Sequence, residues 1–320
     1  RRVLFRSDPD WEPIMAKASA IVTNKGGRTC HSAIIARELG IPCIVGTGNA
    51  TEMLKNKEMV TVSCAEGEKG NVYSGKIPYE TIETDLASLP EPAVPLMLNV
   101  GSPENVFKLA CLPHKGVGLA REEFIINNFI GMHPLALINY PELSSEMKKY
   151  VDERIKGYPT PIDYYVDKLS YGIARLGSAF YPENVIVRFS DFKSNEYRKL
   201  FGGDLYEPHE ENPMIGWRGA SRYYSDTFKQ AFGLECMAIK HVREKLGLTN
   251  IIVMVPFCRT PKEMQEVLKV MKKYGLERGK NGLKVYIMCE VPSNVLLADE
   301  FCKYVDGFSI GSNEIGRAHV

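Results

Sequence analysis

Nowhere in its 320 residues does the chain run to eighteen consecutive apolar positions, although 44% of its residues are hydrophobic. A helix needs about that many to cross a bilayer, so a soluble, globular, cytoplasmic protein with no membrane partner is expected. The eight cysteines are scattered singly from Cys30 to Cys302, with no C-x-x-C pair and no His/Cys cluster at zinc spacing. That excludes a zinc ribbon and suits reduced thiols in a cytoplasm. Charge of one sign is also missing: 40 Lys and Arg face 39 Asp and Glu, so no basic excess argues for a nucleic-acid partner. No internal repeat or low-complexity tract interrupts the chain.

The two ends look unlike the rest. Arg1-Arg2-Val3-Leu4-Phe5-Arg6-Ser7 and Ile315-Gly316-Arg317-Ala318-His319-Val320 back-translate to one sequencing adapter read in opposite orientations. Residues 1–7 and 315–320 are therefore set aside from fold reasoning. Glu314 sits on the junction, where only the first base of its codon belongs to the interior, a base that aspartate and glutamate codons share. Removing Arg1, Arg2, Arg6 and Arg317 lowers Lys and Arg from 40 to 36 and turns the net charge from +1 to −3.

The interior is long enough for two domains. Residues 8–78 read as short strands around one helix, closing with Val60-Thr61-Val62 and Asn71-Val72-Tyr73-Ser74. Residues 79–95 carry Glu80, Glu83, Asp85 and Glu91 among Pro90, Pro92 and Pro95, the composition of a solvated, semi-stiff linker that would let one unit swing. From residue 96 to 314, short β-rich runs alternate with longer helical patterns, which predicts βα units and a parallel barrel. Seven strands are expected, at 96–99, 116–121, 185–189, 214–218, 251–257, 285–290 and 307–313, with a helical insertion over 122–181. A barrel lacking its last strand exposes sheet edges, so aggregation or partial order on expression is expected.

Within the first unit, Ser19-Ala20-Ile21-Val22-Thr23 reads as a strand, Gly26-Gly27 as a turn with unusual dihedrals, and Ser32 to Leu39 as a helix stopped by Gly40. His31 then stands at a helix N-terminus, where unpaired N–H groups and the helix dipole favour an anion, flanked by the hydroxyls of Thr29 and Ser32. An imidazole nitrogen there is a competent nucleophile toward phosphorus. A lone histidine ordinarily caps or packs. Here the glycine pair, the Thr-x-His spacing and the helix start coincide. Cys30 beside it reads as a small buried filler rather than a reactive thiol.

In a parallel barrel the chemistry lies at the C-terminal ends of the strands. Arg121, Arg188, Arg218, Glu290 and Asn313 end five of the seven runs. Any one strand-end charge could be a solvated rim; five together argue for a site. Three guanidinium forks suit a small substrate with carboxylate and phosphate oxygens. Glu290 and an acidic group at 314 would offer oxygen ligands to a hard ion such as Mg²⁺.

The Gly26–Gly40 stretch resembles the phosphohistidine motif of the phosphoenolpyruvate-utilising enzymes. The segments Val185–Tyr197, Glu210–Gly219 and Ser309–Asn313 resemble the same family, and the likeness runs from Asp8 to Asn313. It implies an α/β chain: a swivelling phosphohistidine β/β/α domain followed by an incomplete (β/α)8 TIM-type barrel that binds phosphoenolpyruvate or pyruvate. It implies phosphorylation of His31 from ATP, with release of AMP and phosphate, and transfer of the group to pyruvate bound as its enolate, a gluconeogenic reaction with Mg²⁺ as cofactor. Arg121, Arg188 and Arg218 match substrate-binding arginines, Glu290 a Mg²⁺ ligand that also faces substrate, and Gly311, Ser312 and Asn313 the substrate loop. Glu314 stands where the family has a second metal-binding aspartate. The ATP-grasp domain would lie before Asp8 and a proton-donating cysteine after Asn313, so the 320 residues alone are expected not to turn over. Within the family, pyruvate phosphate dikinase and the enzyme I type that charges a carrier protein from phosphoenolpyruvate remain the alternatives, a non-catalytic sensor is a third, and a homodimer is the open oligomeric state.

Overall fold

The computed structural model describes Met15 and residues 17–27, 30–67, 69–83, 85–88 and 90–311. The chain divides between Thr84 and Asp85 into two compact units.

In the first unit β-branched Ile21, Val22 and Ile44, with Cys43, form a short parallel pair, β1 (Ile21–Val22) and β2 (Cys43–Ile44). Between them runs α1 (His31–Leu39). Parallel neighbours require such a crossover, because a tight turn cannot reverse the chain and keep its direction. The helix buries Ile35 and Ala36 against Met15 and Ile21. It stops where Gly40 turns left-handed at φ 66°, while the next N–H, from Ile41, bonds back to the Ala36 carbonyl at 3.0 Å. An antiparallel hairpin, β3 (Val60–Ser63) with β4 (Asn71–Ser74), sends Val62 and Val72 toward Val22, Ile44 and Ala50.

The second unit is built on six parallel strands: β5 (Leu98–Val100), β6 (Val117–Arg121), β7 (Val185–Arg188), β8 (Ile251–Val255), β9 (Val285–Cys289) and β10 (Gly307–Ile310). Each pairs with the next in sequence order, the arrangement of half a βα barrel. All five residues of β8 are buried, as expected of a strand covered on both faces. Three longer helices pack around the sheet: α2 (Pro161–Ala179), α3 (Lys229–Lys240) and α4 (Pro261–Lys273). Two of them start alike. Thr160 and Thr260 accept the backbone N–H of Asp163 and Glu263, with proline in the first helical turn.

One expected strand is absent. Residues 214–218 form a loop, and β7 pairs directly with β8 from Val185↔Ile251 to Arg188↔Met254, leaving no slot between them. The reason is local. Pro213 precedes the run, Gly216 interrupts it, Gly219 follows it, and Ile215, its most apolar residue, is 70% exposed. Among the described residues of the second unit six strands, not seven, are therefore present. The insertion expected over 122–181 is helical, with α2 as its longest element.

Candidate active site

His31 opens α1 after the turn at Gly26, whose φ is 123°. Cys30 is the N-cap, and its side chain makes no capping hydrogen bond. Its carbonyl accepts the N–H groups of Ala33 and Ile34. Arg28 and Thr29 lie outside the described residues, as does the imidazole of His31. Residues 1–7, Ser312, Asn313, Glu314 and residues 315–320 also lie outside them. Gly311 is described: its N–H donates to the Cys289 carbonyl at 2.9 Å, tying the end of β10 to the residue before Glu290.

In the second unit Arg121, Arg188, Arg218 and Glu290 line one cavity of about 600 Å³. Arg121 ends β6 and lies 4.7 Å over the ring of Phe124. Arg188 ends β7. Its Nη2 donates to Glu123 Oε1 at 2.6 Å and its Nη1 lies 3.6 Å from Asp191 Oδ2. Burial alone would lower its pKa, but Glu123 and Asp191 outweigh that and hold the guanidinium charged. Arg218, carried by the loop instead of a strand, forks onto Asp191 through Nε at 2.9 Å and Nη2 at 2.5 Å, and its Nη1 donates to the Met214 carbonyl at 3.0 Å. One N–H therefore remains on each terminal nitrogen. Here too burial opposes and Asp191 more than restores the charge.

Glu290 follows β9 and is buried. Its Oε1 accepts the Phe257 N–H at 2.6 Å. Burial, then repulsion from Asp191, raises its pKa to about 7, with the Phe257 amide, Arg188 and Arg218 pulling the other way. A carboxyl so poised ionises fully once a cation arrives. Among the described residues no set of three or more His, Cys, Asp or Glu side chains is grouped to hold a metal. One oxygen ligand fits Mg²⁺, which keeps several waters and is commonly bound through one or two carboxylates plus substrate oxygens.

Two acidic residues of this site escape a reading of strand ends. Glu123 and Asp191 sit just past β6 and β7, two and three residues beyond arginines, and alternate with them as Glu123, Arg188, Asp191, Arg218. Their proximity in sequence to strand-end arginines was the available signal. Glu123 Oε1 also accepts the Asp191 N–H at 2.7 Å, locking the turn after β7. Beneath it, Glu235 of α3 accepts the N–H and hydroxyl of Ser190 at 3.0 and 2.6 Å. Burial raises Glu235 to about 7 against the pull of those bonds. Glu122, fully buried beside it, is pushed well above the ordinary carboxylate range, first by burial and then by Glu235. It is held neutral.

Comparison with known proteins fits this geometry. A model of the PEP-utilising enzyme PEP-binding domain matches residues 81–318, and one of the PEP-utilising enzyme mobile domain matches residues 3–67. Relatives named phosphoenolpyruvate synthase are 55% identical in Aquifex aeolicus, 57% in Neisseria meningitidis and 56% in Escherichia coli. Each alignment covers 97% of this chain and 42%, 39% and 39% of the relative. The chain thus spans about two fifths of the length of these relatives. With both domain models matched in order and the strand-end arginines gathered in the unit that the PEP-binding model covers, the chain belongs to the PEP-utilising enzymes.

Proposed function

We propose that this chain carries the phosphohistidine and the acceptor site of a phosphoenolpyruvate synthase, which converts pyruvate, ATP and water to phosphoenolpyruvate, AMP and phosphate. The observation that carries the reading is the convergence of Arg121, Arg188, Arg218 and Glu290 on one cavity. A three-carbon substrate with a carboxylate and a phosphorylated or enolate oxygen presents anionic oxygens at both ends, and guanidinium forks match each end.

The roles follow from the contacts. Arg218, its edge and one further N–H already engaged, presents the two remaining N–H groups to a substrate anion. Arg188, braced by Glu123 and Asp191, places fixed positive charge where the enolate oxygen develops negative charge. Glu290 would hold Mg²⁺ together with substrate oxygens, Glu314 being the second candidate ligand. Bound there, the ion supplies Lewis-acid stabilisation of the enolate. His31, at the start of α1, would carry the phosphoryl group against the helix N-terminus. The stretch 79–95 would serve as the tether on which the His31 unit travels between an ATP site and the cavity. Gly311, Ser312 and Asn313 would belong to the substrate loop. The relatives' shared name supports the synthase over carrier-charging members of the family.

The test uses the reverse half-reaction. Incubation of the full-length protein that carries these residues with Mg²⁺ and phosphoenolpyruvate radiolabelled at phosphorus, quenched in alkali, is expected to leave an acid-labile label on His31 and none in His31→Ala. Label that is acid-stable, or that survives His31→Ala, would overturn the reading.

A further inference from the structure

Phe257 stands where β8 gives way to the loop before α4. It combines two features that a buried aromatic filler does not need. It is a non-glycine residue with φ at +48°, a left-handed conformation that side chains disfavour and that structures retain when something is gained from it. Its N–H donates to Glu290 Oε1. Two guanidiniums, meanwhile, lie over its ring: Arg218 with its central carbon 4.4 Å from the ring centroid, and Arg259 at 4.7 Å.

Both arginines engage the loop that stands in place of the expected strand. Arg218 is part of it, and Arg259 donates to the carbonyls of Ile215 and Gly216 at 3.1 and 2.7 Å. The far end of that loop presses on the same spot. The Ala220 N–H donates to the Pro256 carbonyl at 3.1 Å, and a Cβ on Gly219 would stand 2.6 Å from Phe257 Cβ. From the other side Asn294 closes the arrangement. Its Oδ1 accepts the Glu290 and Val291 N–H groups at 3.2 and 3.1 Å, and its Nδ2 donates to the Cys258 carbonyl at 2.7 Å. The chain around Glu290 and the chain around Phe257 are thus tied as one piece.

We propose that Phe257 is a positioning residue for the substrate site: its amide fixes the Glu290 carboxylate and its ring seats the Arg218 guanidinium, so one residue sets the spacing between the two groups. No sheet hydrogen bond holds the Arg218 loop. Asp191 fixes the edge of the guanidinium, and the π face of Phe257 fixes its plane. The inference rests on the cavity being the substrate site, as proposed above.

The experiment measures Mg²⁺-dependent binding of oxalate, a planar dianion of the enolate's shape, to the full-length protein that carries these residues by calorimetry, with melting temperature recorded in parallel. Phe257→Tyr keeps a ring and is expected to bind within about twofold of wild type. Phe257→Leu keeps the amide and loses the ring, and is expected to bind about tenfold more weakly, the scale of a desolvated cation–π contact. Should Phe257→Leu fail to fold, pentafluorophenylalanine at 257 keeps the shape, reverses the ring's charge distribution and is expected to weaken binding similarly. A purely space-filling role would leave that variant unchanged. Wild-type affinity in both the leucine and the fluorinated variants overturns the inference while leaving the cavity reading intact. A wild-type chain that binds no oxalate removes the cavity reading, and this inference with it.

Discussion

Arg218 and Asp191 meet edge to edge, through Nε at 2.9 Å and Nη2 at 2.5 Å, with both side chains at most 9% exposed. The pair joins a loop to the end of a strand. A paired buried charge contributes little net stability, but removing one partner strands the other at a cost of about 3–5 kcal/mol. Asp191→Ala is therefore expected to lower unfolding free energy by roughly 3 kcal/mol in urea melts. Oxalate affinity should fall as well, despite the gain in net positive charge, because Arg218 loses the partner that orients it. Stronger anion binding by Asp191→Ala would show that charge, not orientation, governs the site.

The buried carboxyls beneath the turn after β7 make stability depend on pH in a stated direction. Glu235 is raised from 4.5 to about 7 by burial, and Glu122 is raised as well. A carboxyl with a raised folded pKa binds its proton more tightly folded than unfolded. Its contribution is complete below about pH 4.5 and is lost as pH rises through about 7. Urea melts at pH 5 and pH 8 are expected to show the wild type weaker at pH 8, with a difference of about 2 kcal/mol that shrinks in Glu235→Gln. An unchanged difference in that variant would place the titration elsewhere.

The fold was legible where a local rule and the tertiary outcome agreed. The runs at 185–189 and 251–257 hold the Val- and Ile-rich strands β7 and β8, which end at Arg188 and Val255, and Gly26-Gly27 followed by a periodic run leads into a helix. The segment 214–218 misled because Met-Ile-Gly-Trp-Arg carries strand-like residues while its flanking Pro213 and Gly219 dictate a loop, and only the direct β7–β8 pairing decides between them. Arg218 nonetheless reaches the cavity, because a loop folded back on Asp191 and Phe257 brings it to the same mouth as the strand ends. Glu123 and Asp191 were missed for a related reason. Their work lies in pairing with arginines across elements, and strand order is not written in spacing.

A second buried pair lies behind the loop. Arg222, fully buried, forks onto Glu207 at 2.5 and 2.8 Å and donates to the Trp217 carbonyl at 3.0 Å, while His133 Nε2 meets the same carboxylate at 3.0 Å. Burial lowers the His133 pKa in spite of Glu207, so the histidine is neutral and Arg222 is the cation that Glu207 balances. Glu207→Gln keeps the shape and removes the charge. It is expected to lower stability by about 3 kcal/mol, and to weaken oxalate binding although Glu207 is not part of the cavity wall, because Arg222 holds the residue before Arg218. Unaltered binding in a variant that is clearly destabilised would separate the network from the site.

Gly219 offers the sharpest test of the loop. Its φ of 57° with ψ of −137° is a conformation that only glycine adopts at low cost, and a Cβ there would collide with the Pro256 carbonyl oxygen and stand 2.6 Å from Phe257 Cβ. Gly219→Ala adds one methyl group, removes no hydrogen bond and changes no charge. Backbone strain alone costs about 1–3 kcal/mol, and relief requires the chain after Arg218 to back away from β8. That movement would carry the guanidinium off the Phe257 ring and out of line with Asp191. The expected outcome is oxalate binding reduced more than about tenfold, with Arg188 and Glu290 still in place. An Arg218→Lys change added to Gly219→Ala should then cost little more, since the side chain it alters would already be displaced. Two losses that simply add would mean that Gly219 acts on the fold at large and leaves Arg218 where it is.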